Sequence, residues 1–133
     1  MLIMAVDLGK ARTGIAACDN GLLAYPVTVI SEKRKDVLLQ KVAEEVKKAD
    51  LIVVGLPKNM DGTEGESALN ARAFADSLTE KTGIKTIMAD ERSTTVMAHG
   101  FLNETNTRGK KRKAVVDSVA AVVILQSYID SLK

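Results

Sequence analysis

The chain is poor in the residues that staple folds, stack on bases or shuttle protons. Its 133 residues include one cysteine, one histidine, two prolines, two phenylalanines, two tyrosines and no tryptophan. A lone cysteine excludes a disulfide framework and agrees with a reducing compartment. Cys18 lies in the apolar stretch TGIAAC with no histidine near it in sequence, so it reads as a small buried hydrophobe. So few aromatics leave little for a base-stacking platform, and contact with nucleic acid is expected to run mostly through phosphate. No apolar run approaches the roughly 20 residues of a bilayer span, and the opening MLIMAV is too short for the core of an export signal before it meets Asp7. A soluble, cytoplasmic protein is expected.

What is present is globular. Hydrophobic residues make up 46% and charged residues 27%, and the length suits a single domain over residues 1–133. The net charge of +2 names no partner, yet RGKKRK at 108–113 gathers five cations without an acid. A local field of that kind draws in a polyanion more effectively than net charge does.

Residues 1–7 read as a buried strand, and TGIAACDNGLLAYPVTVI as two more joined at Asp19-Asn20-Gly21, where Asn-Gly signals a hairpin. Pro26 in the third strand implies a bulge or a sheet edge. Residues 35–50 repeat Leu39, Val42, Ala43 and Val46, with Leu38, on one helical face, and LIVVG at 51–55 fits a strand covered on both sides. A second helix over 66–81 is expected to bury Leu69, Ala73, Phe74 and Leu78, followed by a strand at 85–89. A short helix over 93–103 and a long apolar one from about Ala114 to Leu132 complete the chain, and RGKKRK is expected as loop. The fold class is α/β, with an antiparallel three-strand start and parallel additions after it. Crossovers through helices make the strands beginning at Met1, Leu51 and Lys85 point the same way, so their carboxyl ends share one edge.

That edge is where open α/β sheets bind ligands, and it would receive Asp7, Gly55 and the Asp90-Glu91 pair. Asp117 shares a helical face with Ala121, Ile124 and Tyr128, so packing that stripe on the sheet would turn it inward as a third acid. Three carboxylates suit hard cations, Mg²⁺ or Mn²⁺, and two such ions about 4 Å apart can clamp the attacking and leaving oxygens of a phosphodiester. The residues alone leave Asp90 and Glu91 as alternatives. Arg12 and Arg92 each follow a candidate acid and could pair with it or grip a phosphate. Lys10, Lys58 and Arg108, Lys110, Lys111, Arg112 and Lys113 are further phosphate-binding candidates, Lys58 in the glycine-rich loop GLPKNMDGTEG beside Asn59 and Thr63. His99 reads as a structural residue, since a two-metal mechanism needs no imidazole. Val115, Val119, Val122 and Ile129 lie away from the Asp117 face, which suggests a sandwiched helix or a homodimer.

Taken in order, DLGKARTG, VVGLPKNMDGTEG, DERSTT and VDSVAAVVIL resemble the YqgF family, also called RuvX-like Holliday junction resolvases, of the RNase H-like superfamily. The resemblance implies an RNase H-like mixed sheet with helices on both faces. It places the family's acids on Asp7, Glu91 and Asp117, with Asp90 kept as an alternative ligand. It implies metal-dependent endonuclease cleavage of structured RNA or branched DNA: maturation of the 5′ end of pre-16S rRNA on a ribosome precursor or, alternatively, junction resolution. Two other classes share the starting Asp-x-Gly turn or the acids. One is an ATP-binding half domain of the actin and sugar-kinase type, and the other a non-catalytic nucleic-acid-binding module.

Overall fold

The computed structural model describes residues 1–9, 12–57, 63–90 and 109–132, with the side chains of the last helix described from position 119 onward. The described elements are β1 (Ile3–Leu8), β2 (Thr13–Cys18), β3 (Tyr25–Ile30), α1 (Lys35–Val46), β4 (Leu51–Leu56), α2 (Glu66–Thr82), β5 (Thr86–Asp90) and α3 (Gly109–Ser131). The helix expected over 93–103, His99 included, lies outside the described residues.

The strands form one sheet in the order β3-β2-β1-β4-β5. β1 pairs antiparallel with β2 and parallel with β4, and β4 pairs parallel with β5, so the expected meander and shared carboxyl edge are both present. Side chains alternate between faces along a strand. Met4, Val6, Ile52, Val54 and Leu56 meet Leu38, Val42, Val46, Ala71, Ala75 and Leu78 of α1 and α2. Ile3, Ala5, Leu51 and Val53, with Ala16 and Cys18, meet Ala121, Ile124, Leu125 and Ile129 of α3. Helices therefore cover both faces, which is why β1 and β4 read as nearly unbroken apolar runs.

Several sequence expectations need correction. The β2–β3 connection runs from Asp19 to Ala24 and is no two-residue hairpin. Asn20 Oδ1 accepts from the N–H groups of Leu22 and Leu23 at 2.9 and 3.1 Å, and Gly21 takes φ +71°, so the Asn-Gly pair builds a side-chain-closed loop. Pro26 sits on the edge strand and beside a bulge, with Ile15 opposite Thr28 and Ala16 opposite Pro26. In α2 the buried stripe is Ala68, Ala71, Ala75 and Leu78, while Leu69 and Ala73 face solvent and Phe74 is half-buried. Alanine suits close helix packing as well as it suits solvent, so bulk alone misplaces the stripe. α3 begins at Gly109, which puts Lys110–Lys113 in helix; Lys and Arg are good helix formers, and a charge run is no helix breaker. Ile129 is buried on the same side as Ala121 and Ile124.

Candidate metal centre at the carboxyl edge of the sheet

Asp7 is the fifth residue of β1 and by alternation shares the α3 face with Ile3 and Ala5. Across the antiparallel ladder its partner is Gly14. On the parallel side Val6 pairs with Val54, so the next position along β4 is Gly55, itself paired with Ala89. Both glycines are buried, and neither places a side chain beside the carboxylate. The face grows bulkier away from this edge, through Ala16, Ala5 and Val53 to Cys18, Ile3 and Leu51. The half-buried acid thus stands in a row with no flanking side chains, at the end of the sheet where ligands bind.

The position of α3 follows from one anchored residue. Gln126 Oε1 accepts from the Ala24 N–H at 2.8 Å, and its Nε2 donates to the Leu22 carbonyl at 2.8 Å, which fixes it at the Ile3–Cys18 end of the sheet. Nine residues back along the helix cover about 13.5 Å. Four residues along β1, from Ile3 to Asp7, cover about 13 Å. With the axis of α3 along β1, helix position 117 would stand near the height of Asp7.

Asp90 ends β5 opposite Leu56, at the same edge. Met88 packs toward α1 and α2, whereas Ile87 and Ala89 pack toward α3, so Asp90 takes the face opposite to that of Asp7 and is exposed. Glu91 and Arg92 lie outside the described residues, as do Lys10, Lys58 and Arg108. Lys110, Lys111, Arg112 and Lys113 occupy the first turns of α3. Arg12 is half-buried, and its carbonyl accepts the Gly9 N–H at 3.0 Å in the turn between β1 and β2. A Cβ on Gly9 would collide with that carbonyl, so the turn requires glycine. Among the described residues no three His, Cys, Asp or Glu gather as a metal site; the expected trio draws on side chains beyond them. Sequence reading did not single out Gly14, although its place across the β1–β2 turn held the signal: counting outward from that turn, Leu8 meets Thr13 and Asp7 meets Gly14.

Two groups with shifted pKa values lie on other segments. The Glu32 carboxyl is held below its ordinary value by the Arg34 backbone N–H and by the Lys41 ammonium. The Arg72 guanidinium is raised by its two hydrogen bonds to Glu64, at 2.6 and 2.8 Å, which tie the entry of α2 to its second turn.

The order and pairing of these strands define an RNase H-like fold. RuvC of T. thermophilus, solved in complex with a Holliday junction substrate, superposes with a TM-score of 0.63 at 13% identity, over 100% of this chain and 97% of that one. A ROK family protein of Streptococcus pneumoniae, solved with sucrose, gives 0.54 at 14% identity, over 74% of this chain but 37% of its own. At the level of sequence, the RuvX family, described as Holliday junction resolvase, matches residues 1–131. A protein of Nitrosospira multiformis named "Putative pre-16S rRNA nuclease" is 42% identical over 130 residues, 96% of this chain and 86% of its own. One of Agathobacter rectalis with the same name is 41% identical, over 99% and 96%. The chain belongs to the RuvX family.

Proposed function

We propose that the chain is a metal-dependent endonuclease that hydrolyses phosphodiester bonds and trims the 5′ end of pre-16S rRNA during ribosome biogenesis. The observation that supports this reading is the placement of Asp7: a half-buried carboxylate at the carboxyl edge, flanked by Gly14 and Gly55. The substrate is taken from the names of relatives about 40% identical over nearly the whole chain.

Asp7, Glu91 and Asp117 would hold Mg²⁺ or Mn²⁺. Their donor set of carboxylate oxygens without sulfur or imidazole fits hard cations, and the two glycines leave room at the carboxylate. Asp90 lies on the face opposite to Asp7, which supports Glu91 as the second acid. When bound, such ions neutralise phosphate charge and make a bound water more acidic. Arg12 and Lys10 at the β1–β2 turn, with Lys58 and Arg92, orient the scissile phosphate, and Arg108 with Lys110–Lys113 holds the flanking backbone. Four cations in the first turns of a helix oppose its dipole, and a polyanion lying there relieves that repulsion.

The family description favours one other reading, resolution of four-way junctions. It requires two copies cutting symmetrically, hence a homodimer. The deciding experiment incubates the protein with Mn²⁺ or Mg²⁺ and a precursor rRNA leader, a linear duplex or a four-way junction, with Asp7→Asn as control. Metal-dependent cleavage of the leader, absent in Asp7→Asn, is expected. Cleavage of the junction alone would replace the rRNA reading, and cleavage of nothing would overturn both.

A further inference from the structure

The same edge has a second chamber that the metal-centre reading leaves unused. A cleft of about 650 Å³ opens between α1 and α2 on the face opposite to Asp7, with Leu8 and Gly9 among its walls. Its volume falls within the roughly 300–1,000 Å³ of small-molecule sites. Leu8, Leu38 and Phe74 supply apolar surface, and Glu66, Ser67 and Asn70 supply polar groups. Phe74 is one of only two phenylalanines, and its half-burial leaves part of its surface available to the cleft.

The cleft is coupled to the carboxylate by the strand itself. Leu8 follows Asp7, their Cα atoms stand about 3.8 Å apart, and their side chains point to opposite faces. The last two residues of β1 therefore address the two chambers, and Gly9 adds no side chain to the wall at that point. Among the described residues the rim mixes both signs: Lys33 and Lys35 accompany Glu32, Asp36 and Glu66. Glu32 accepts from Lys41 Nζ at 3.2 Å, and Asp36 from Arg34 at 3.1 Å, so two of those acids are neutralised by cations.

We infer that this cleft is a nucleoside subsite, taking the unpaired base of a nucleotide beside the phosphate that Asp7 addresses. The identity of that strand rests on the nuclease reading; the fit of the base rests on the cleft. Phe74 stacks on the base, while the Glu66 carboxylate and the Ser67 and Asn70 side chains read its hydrogen-bonding edge. A carboxylate accepts from exocyclic amino groups, so cytosine, adenine and guanine are preferred to uracil.

The test titrates CMP, AMP, GMP and UMP into the ¹⁵N-labelled full chain and follows the amide resonances. Shifts centred on Leu8, Gly9, Leu38 and Phe74 are expected, with UMP about fivefold weaker than CMP for one lost hydrogen bond. Phe74→Leu, which keeps apolar packing, should weaken CMP about tenfold through lost stacking and raise KM for the cleaved substrate while leaving kcat unchanged. Asp7→Asn should abolish cleavage and leave CMP binding intact, which separates this inference from the nuclease reading. Cleavage by the parent chain with no shifts at the cleft overturns the subsite alone. Binding of ATP without any monophosphate would also overturn it, in favour of a triphosphate site. CMP binding at the cleft with no cleavage of any substrate would overturn the nuclease reading and leave the nucleoside pocket standing.

Discussion

The two ends of the α3-covered face are built on opposite rules. At the amino end of β1, Ile3, Cys18 and Leu51 meet Leu125 and Ile129, a filled apolar layer whose members are at most 8% exposed. At the carboxyl end the corresponding row is Gly14, Asp7 and Gly55. One end gives up polarity for packing, and the other gives up side-chain volume to leave space at an acid. A filled apolar layer and an open acid are thus divided along about four residues of a single strand.

Substitutions should separate the two ends. The largest effect is expected of Asp7→Asn: metal-dependent cleavage should fall by more than about 100-fold, since even the outer partners of metal ligands cost 10–100-fold. Its thermal midpoint should stay near that of the parent, and a collapse of folding instead would make Asp7 a structural residue. Leu125→Ala at the packed end should do the reverse, destabilising by about 2–5 kcal/mol in denaturant unfolding while the metal requirement of cleavage is unchanged.

Smaller changes sharpen the contrast. Gln126→Ala removes the two hydrogen bonds that pin α3 to the β2–β3 loop, and should cost about 1–2 kcal/mol. If α3 then slides, cleavage should fall with it, because Asp117 is carried on the same helix. The smallest effect is expected at Glu32, whose pKa is lowered from 4.5 in the folded chain. Its contribution is present above the ordinary value and is lost as pH falls through the depressed folded value. Acid titration of unfolding should show a slight loss below pH 4.5 that Glu32→Gln lacks.

Much of this was legible from periodicity. The unbroken apolar runs of β1 and β4 announced strands covered on both faces, and the helices between parallel strands set their common direction. Asp7 could therefore be placed at the carboxyl edge from local sequence alone. The α2 stripe was not legible, because Ala68, Ala71 and Ala75 carry too little bulk to outweigh Leu69, which is nonetheless 62% exposed. The start of α3 was hidden because Lys and Arg suit a helical turn as well as a solvated loop. Which face Asp90 takes was hidden too, since a one-residue change of register moves a side chain to the other side of a sheet.

The chain by itself determined its elements, their order and the direction of the parallel strands, because periodicity and crossover handedness act over neighbouring residues. Only the tertiary structure decided that Gly14 and Gly55 flank Asp7, that Gln126 pins α3 to the β2–β3 loop, and that Leu8 turns to a separate cleft. Those relations depend on pairing register and packing between segments up to 104 residues apart, and no local pattern encodes them.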